Sequence, residues 1–194
     1  MQKKRRTIRN KRRLLTKKII NLLNSGAIVI LPTDTVYGIF CRALNKNAVK
    51  RIYKIKGRDF SKPLQIFLSD KNQIKKYCSL NDMKFRYINK YLPGPYTLIF
   101  KLNKSCPEKF SFLKNTIGIR VINNVLLNNV IKKTGPLAAT SANVSGDKTP
   151  VFFEDISEKI KNKADFLLKN DRCIKGRSST VIDLTGDRLK ILRK

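Results

Sequence analysis

The stretch AIVILPTDTVYG, residues 27–38, indicates how this chain folds. Its first part is a short continuous apolar run, which is typical of a strand buried on both faces of a sheet. Pro32 ends the run, and a loop with two hydroxyls, a carboxylate and a glycine follows. A buried strand that opens into a polar loop is how an α/β scaffold presents binding groups at the end of its sheet.

Two other polar segments lie beside apolar runs in the same way. They are KGRDFSKPL at 56–64, which follows a helix-like pattern, and SANVSG at 141–146, which follows the strand-like PLAAT. Small, polar or cationic residues of this kind do not pack a core, so we interpret the three segments together as a binding site.

Apolar periodicity predicts helices and short strands on both sides of these loops. The predicted helices are 11–24, 47–56, 70–77, 81–91, 124–134 and 154–160, and the predicted strands are 27–31, 64–68, 97–101, 117–121, 137–140, 166–168, 181–184 and 189–192. Several strands are close neighbours and no strict βαβ repeat occurs. The pattern therefore favours an α/β fold with an open, twisted, mixed sheet and flanking helices.

Charge is the strongest bias in the composition. The formal net charge is +30, from 43 Lys and Arg against 13 Asp and Glu, and no acidic residue precedes Asp34. We divide the chain into a basic N-terminal arm, 1–13, and one domain, 14–194, and expect residues 1–10 to be disordered. Such a charge attracts RNA, nucleotides or an acidic membrane surface. Compositional drift explains the general charge equally well, and both interpretations stay open.

Missing residue types exclude several classes of chemistry. The chain has no histidine, so imidazole acid–base catalysis and the serine–histidine triad are excluded. Its four cysteines are far apart, which argues against zinc and fits reduced thiols in the cytoplasm. No apolar stretch approaches the roughly 18 residues of a membrane span. Neither the P-loop motif nor the dinucleotide glycine motif occurs.

The segment 56–64 carries three cations, Lys56, Arg58 and Lys62, at a junction between helix and strand. Convergent cations bind phosphate through charge-assisted hydrogen bonds, and arginine binds it with two parallel bonds. A solvated basic loop is the alternative for a chain this basic.

The other polar segments supply hydroxyls, amides and one carboxylate. Asp34 balances either an ammonium group or a metal ion, and the pattern does not decide between them. The alternative is that 32–38 forms a hydroxyl-stabilised turn with Tyr37 packed in the core. Arg120 ends the apolar TIGIR and is placed to clamp a carboxylate or phosphate. Ser179 offers a hydroxyl just before the predicted strand 181–184.

Seven segments in this order resemble the YrdC/Sua5 family, the threonylcarbamoyl-AMP synthases. They are GAIVILPTDTVYGIFC, IYKIKGRDFSKPL, YLPGPYTLIF, TIGIRV, GPLAATSANVSG, SSTVIDLTG and ILR, within residues 26–193. The resemblance implies a concave, basic cavity on the open sheet. It also implies a nucleotidyltransferase that makes L-threonylcarbamoyladenylate and pyrophosphate from L-threonine, bicarbonate and ATP with Mg²⁺. Other proteins then transfer the threonylcarbamoyl group to adenosine 37 of tRNAs that read ANN codons.

The resemblance also assigns roles to residues of this chain. Lys56 and Arg58 are expected to be catalytic. The ATP-binding set is Lys56, Arg58, Lys62, Thr116, Ser141, Asn143, Thr149 and Arg193. The threonine-binding set is Thr35, Arg120, Ala139 and Ser179, with Arg120 facing the carboxylate. No protein side chain is expected to ligate a metal, because Mg²⁺ enters with ATP.

The chain departs from the family pattern at four places. Asp59 replaces a frequent proline, Phe67 a frequent histidine and Ser178 a usual proline, and Lys194 stands where a glycine normally follows the final arginine. Threonine contacts from position 67 are therefore in doubt. The alternative function is a non-catalytic protein that binds tRNA or other RNA during tRNA or ribosome maturation.

Overall fold

A computed structural model describes residues 2–103, 106, 110–171 and 176–194, apart from the side chains of residues 2–5 and 8. Its strands are β1 Val29–Pro32, β2 Tyr37–Arg42, β3 Gln65–Leu68, β4 Tyr96–Lys101, β5 Thr116–Val121, β6 Leu137–Ser141, β7 Phe166–Leu167, β8 Thr180–Asp183 and β9 Lys190–Arg193. Its helices are α1 Gln2–Asn24, α2 Lys46–Lys56, α3 Asp82–Tyr91, α4 Val125–Thr134 and α5 Glu158–Lys161, with a 3₁₀ helix at Lys71–Lys76. None of the helices described is long and apolar enough to cross a membrane.

The described strands form one sheet in the order β7-β1-β2-β6-β3-β5-β4-β8-β9. Some neighbours are parallel, as β3 and β5 are, and others are antiparallel, as β2 and β6 are. The predicted open, mixed α/β sheet with flanking helices is therefore confirmed.

The two faces of this sheet have different partners. Side chains alternate between the faces along each strand, so Ile30 packs on the first face and Leu31 on the second. The first face lies under α2, α3, α5 and the 3₁₀ helix, which contribute Ile52, Ile88, Ile160 and Ile74. The second face is covered near β1 and β6 by α1 and α4, which contribute Ile19, Leu23, Leu127 and Ile131. Toward β5 and β4 the second face carries the polar side chains of Arg120 and Thr97 instead.

Helix α1 runs without a break through the predicted basic arm. It begins at Gln2, so the expectation that residues 1–10 are disordered is wrong for residues 2–10. Lysine and arginine have good helix propensity, and residues 2–24 contain no glycine or proline to interrupt the helix. The apolar side of its later turns, with Leu15, Ile19 and Leu23, packs in the core that α1 shares with α4.

Helix α2 brings the basic loop to the site. Asn45, rather than the predicted Asn47, caps the helix by accepting a hydrogen bond from the backbone of Ala48. The helix ends after Lys56 as predicted, because Gly57 adopts a left-handed conformation with φ 59°. This abrupt end separates Lys56, which is buried, from Arg58, which is partly exposed.

The last predicted helix is shorter than the sequence indicated. The prediction was 154–160, but α5 spans Glu158–Lys161. The Asp155 carboxylate accepts hydrogen bonds from the backbone of Val151 and Phe152. This side-chain bonding holds a turn, so the helix begins only after Ser157.

Candidate active site

Strand pairing brings the three polar segments together. Gly38 of β2 lies opposite Ser141 of β6, and Ala139 of β6 lies opposite Gln65 of β3. Next in the sheet, Phe67 of β3 lies opposite Arg120 of β5. The loops that follow β1, α2 and β6 therefore meet at one end of the sheet.

A cavity of about 140 Å³ lies at this meeting point. Six residues of the predicted site line it: Arg58, Arg120, Ala139, Ser141, Ser179 and Arg193. A pocket for a drug-sized ligand measures about 300–1,000 Å³, so this cavity fits a small molecule or one end of a larger one. Three guanidinium groups around so small a space favour a carboxylate or a phosphate.

Arg120 is the buried cation of the cavity, with 4% of its surface exposed. Its Nη2 donates a 2.7 Å hydrogen bond to the Asp34 carboxylate, and both Nη atoms lie 3.2 Å from the Thr35 hydroxyl oxygen. Burial lowers the pKa of Arg120 to about 10, against the opposing effect of Asp34, so the group is charged at neutral pH. Its Nε is buried and has no hydrogen-bond partner among the described residues. Arg120 lines the cavity, and a guanidinium placed there is suited to an incoming carboxylate.

Phe67 supports the same guanidinium from below. The Arg120 Cζ atom lies 4.9 Å from the centre of the Phe67 ring, and Phe67 in turn packs edge-on against Phe40. The ring thus fixes the plane of the guanidinium by a cation–π contact. Phe67 therefore orients Arg120, a role that the sequence alone did not indicate.

The loop between β1 and β2 divides its residues between structure and site. Thr33 accepts hydrogen bonds from the backbone of Thr35 and Val36 and donates to the Val36 carbonyl, which forms a hydroxyl-stabilised turn. Tyr37 is buried, so the structural alternative describes these two residues correctly. Asp34 and Thr35 instead contact Arg120. The sequence suggested that Asp34 balances either an ammonium group or a metal ion. In the structure its carboxylate instead accepts a hydrogen bond from the Arg120 guanidinium.

Lys56 is almost completely buried, with 1% of its surface exposed. Its ammonium donates to the Ser141 carbonyl at 2.5 Å, to the Asn143 carbonyl, and to Asn143 Oδ1 at 3.4 Å. Burial lowers the pKa of Lys56 to about 8, with Arg58 adding to the effect. Lys56 thus holds the segment that presents Ser141, and each of its N–H groups has an acceptor within the protein.

The other cations of the basic loop are more accessible. Arg58 donates from Nε to the Lys62 carbonyl at 2.8 Å and from Nη2 to the Pro63 carbonyl at 3.1 Å. These bonds use two of its five donors, and Arg58 lines the cavity. Lys62 is exposed at the end of the loop.

The far side of the cavity is built by β8 and β9. The Ser179 hydroxyl lies 2.8 Å from that of Thr97, and Arg193 donates to the Ser179 carbonyl at 2.8 Å and to its hydroxyl at 3.2 Å. Thr97 is a buried polar residue in the middle of a strand. It contributes to the site by its hydrogen bond with Ser179. The sequence TLIF around Thr97 did not predict this role.

Two predicted ATP-binding residues lie away from this cavity. Thr116 begins β5 and lines a separate cavity of about 660 Å³. It is four residues from Arg120, a distance of roughly 13 Å along a strand. Thr149 is partly buried in the loop after SANVSG, next to Pro150, whose carbonyl bonds to Tyr37. Their predicted contacts with ATP stay predictions.

Metal ligands are not gathered anywhere in the part of the chain that the structure describes: it contains no group of three or more His, Cys, Asp or Glu residues placed to hold an ion. The polar side chains lining the cavity carry guanidinium, hydroxyl and amide groups. This set of donors suits oxyanions rather than a divalent cation.

The chain is similar in sequence and fold to known proteins. A family model named Sua5/YciO/YrdC, described as telomere recombination, matches residues 21–194. A protein of Methanocaldococcus jannaschii, provisionally named a threonylcarbamoyl-AMP synthase, is 38% identical over 180 residues, which cover 93% of this chain and 83% of that protein.

Two solved structures have the same fold. Pyrococcus abyssi Sua5 complexed with L-threonine superposes with a TM-score of 0.82 at 29% identity, over 92% of this chain and 53% of that one. Escherichia coli YciO gives a TM-score of 0.82 at 27% identity, over 94% of this chain and 89% of that one. The chain therefore spans most of the M. jannaschii and E. coli proteins and about half of the P. abyssi protein.

Proposed function

The chain belongs to the Sua5/YciO/YrdC family, and we propose that it is a threonylcarbamoyl-AMP synthase. It forms L-threonylcarbamoyladenylate and pyrophosphate from L-threonine, bicarbonate and ATP. The observation that carries the proposal is Arg120, a buried guanidinium that lines a cavity of about 140 Å³. A relative of the same fold was solved with L-threonine bound, which supports an amino acid as the ligand.

Threonine is the substrate of the buried part of the cavity. Arg120 receives its carboxylate, and Asp34 and Phe67 hold the guanidinium in the plane that this contact requires. The hydroxyls of Thr35 and Ser179 and the backbone of Ala139 offer the remaining polar contacts. A site that hydrogen-bonds a substrate hydroxyl strongly disfavours an analogue without it, because the polar groups of the site then lose their partners.

ATP occupies the open side of the cavity. Arg58 and Arg193 line it, Ser141 adds a hydroxyl, and Lys62 extends from the adjoining loop. Lys56 and Asn143 do not contact ATP in this arrangement but position Ser141 by hydrogen bonds. Mg²⁺ enters with the ATP phosphates as part of the substrate, since the donors present fit phosphate better than a metal. Thr116 and Thr149 are assigned to the nucleotide by resemblance alone.

The reaction needs alignment more than a protein nucleophile. The neutral threonine amine adds to the carbon of CO₂ or bicarbonate to give a carbamate, with loss of a proton to solvent when CO₂ reacts and of water when bicarbonate reacts. A carbamate oxygen then attacks the α-phosphorus of ATP, and the bond from that phosphorus to the bridging oxygen breaks as pyrophosphate leaves. Fixed cations stabilise the charge that develops on the phosphoryl oxygens, and the cavity holds the two reactants in line.

The product is then passed to proteins that transfer the threonylcarbamoyl group to adenosine 37 of tRNA. We place the reaction in the cytoplasm. Cys41 and Cys78 are free, and burial raises the pKa of Cys41 to about 12, which leaves that thiol protonated and unreactive. Cys173 lies outside the described residues.

Pyrophosphate release tests the proposal directly. Protein, ATP, Mg²⁺ and bicarbonate should release pyrophosphate only when L-threonine is added, and 2-aminobutyrate, which lacks the hydroxyl, should be a poor substitute. Pyrophosphate that forms without threonine, or a folded protein that forms none, would refute the assignment.

A further inference from the structure

A second basic region lies outside the cavity, in an open groove of about 1,270 Å³ between α1 and α4. Its charged lining residues include Arg6, Arg9, Arg13 and Lys17 from α1, and Lys132 and Lys133 from α4. An adjoining space of about 1,040 Å³ shares Arg12 and Asn129 with the groove and extends to Pro32. The proposed synthase chemistry uses none of these cations.

The groove cations have no acidic neighbours on their own helices. Neither α1 nor α4 contains a single Asp or Glu. The ion pairs among the described residues are Arg51–Asp165, Arg120–Asp34, Lys161–Glu158 and Lys169–Glu154, and none involves a groove residue. Their positive charge is therefore not neutralised within the described structure.

The spacing of the cations on α1 suits a polyanion. Arg6, Arg9, Arg13 and Lys17 follow one another at three or four residues, so they form a single stripe along the helix. At about 1.5 Å per residue the stripe is roughly 16 Å long. Lys132 and Lys133 face the groove from the last turn of α4. Two walls of positive charge around a groove match a phosphate backbone better than a single small anion.

A membrane surface fits this region less well. A helix that lies in a membrane interface needs a free apolar face to insert. The apolar face of α1, with Ile19 and Leu23, is already buried against the protein. The exposed apolar residues nearby are single side chains, Leu14 on α1 and Val125 on α4.

We propose that the groove between α1 and α4 binds the phosphate backbone of a folded RNA. The choice of RNA over DNA rests on the proposed function, whose product serves tRNA modification. Binding through backbone charge is strongly dependent on salt and needs no conformational change in the enzyme.

The test compares two triple variants with equal loss of charge. The groove variant is Arg9→Ala, Arg13→Ala and Lys17→Ala. The control variant is Lys75→Ala, Lys76→Ala and Arg86→Ala, three exposed cations on the 3₁₀ helix and α3, which cover the opposite face of the sheet. Alanine favours helix and all six side chains are exposed, so both variants should fold like the unmodified protein.

Fluorescence anisotropy with a labelled tRNA transcript is measured over a range of KCl concentrations. We expect the groove variant to bind at least about tenfold more weakly at low salt, and the slope of log K against log[KCl] to fall by about 2–3, from about 0.7–0.9 per lost phosphate contact. The control variant should lose much less affinity. Equal losses in both variants would overturn the proposal, because general charge would then explain the binding.

Two further measurements test a membrane surface and DNA as alternative partners of the groove. The proposal also fails if the groove variant keeps its RNA affinity but loses binding to phosphatidylserine vesicles, or if a DNA duplex competes as well as RNA for the groove. Threonine-dependent pyrophosphate release, measured without RNA, should be equal in all three proteins. If the groove variant loses RNA binding and none of the three proteins releases pyrophosphate, the synthase proposal is refuted and the groove proposal is supported. If all three proteins release pyrophosphate and the groove variant keeps its RNA binding, only the groove proposal is refuted.

Discussion

The protein carries positive charge in two regions that differ in every physical respect. At the cavity, Arg120 lies in the wall and Lys56 lies behind Ser141, and both are buried and hydrogen-bonded to neighbouring oxygens. In the groove, Arg9, Arg13 and Lys17 are exposed and take part in no described ion pair. Buried cations are held in one geometry and are poorly screened by salt, whereas exposed cations are mobile and strongly screened.

The difference separates two kinds of recognition. A fixed guanidinium selects one small anion in one orientation, as the reaction between threonine and ATP requires. A row of exposed cations attracts any phosphate backbone and has little preference for its sequence. A total charge of +30 therefore does not describe a single function.

The largest effect is expected from Arg120→Met. This change leaves the Asp34 carboxylate without the guanidinium and removes the group that receives the substrate carboxylate. Truncating one member of such a pair costs about 2–5 kcal/mol, so kcat/KM for threonine should fall at least about thirtyfold. Arg51→Met, which breaks the exposed pair with Asp165, is the matched control and should change little. Similar losses in both variants would show that Arg120 does not act through the substrate.

Lys56→Met should have the next largest effect. It removes every hydrogen bond from Lys56 to the Ser141 and Asn143 carbonyls, at a cost of about 1–3 kcal/mol for the unpaired acceptors. We expect the KM for ATP to rise about tenfold, with a smaller change in the KM for threonine. Lys54→Met, an exposed position on the same helix, serves as control. A raised KM for threonine with normal ATP binding would contradict the assignment of Lys56 to the ATP side of the site.

The titration of Lys56 should also affect how activity and stability depend on pH. Its pKa in the folded protein is about 8, below the ordinary 10.5, so activity should decline above pH 8 as the ammonium loses a proton. The unfolded chain holds this proton up to higher pH. Between the two pKa values it binds more protons than the folded state, and the contribution of Lys56 to the free energy of unfolding rises with pH.

Activity and stability should therefore move in opposite directions between pH 8 and 10 as far as Lys56 determines them. Pyrophosphate release and urea unfolding, each measured across this range, compare the two. In Lys56→Met the decline of activity near pH 8 should disappear. A decline that persists in that variant would have to come from another group.

Phe67→Leu should have a modest effect. The change keeps an apolar side chain but removes the ring under Arg120, and such contacts contribute about 0.5–2 kcal/mol. We expect the KM for threonine to rise several-fold while the KM for ATP stays constant. Phe112→Leu, another buried ring that lies in the core of the other face, controls for lost packing.

The smallest effect should be that of salt on the cavity. Because Arg120 is buried, raising KCl from low to moderate concentration should change the threonine KM less than about twofold, since such pairs are screened weakly. RNA binding over the same range should weaken steeply. Parallel salt curves for threonine and RNA would remove the distinction between the two regions.

Much of this architecture could be predicted from the sequence, because it depends on local rules. The apolar run Val29–Leu31 is buried as its composition predicts, and Gly57 ends α2 through its left-handed backbone. The order of the polar segments indicated a shared site. The helix through residues 2–10 does not follow from the sequence, because high net charge favours disorder while Lys and Arg have good helix propensity, and these local rules conflict.

The roles of individual cations depend on tertiary contacts. Lys56 and Arg58 are two residues apart and look alike in the sequence, yet one is buried behind Ser141 and the other lines the cavity. Asp34 and Phe67 meet Arg120 only because β1, β3 and β5 belong to one sheet. The sequence by itself determined which segments are buried and which are polar, since burial follows from side-chain chemistry and period. Which charge is neutralised and which stays free was decided by the fold, because that depends on distances between residues far apart in the chain.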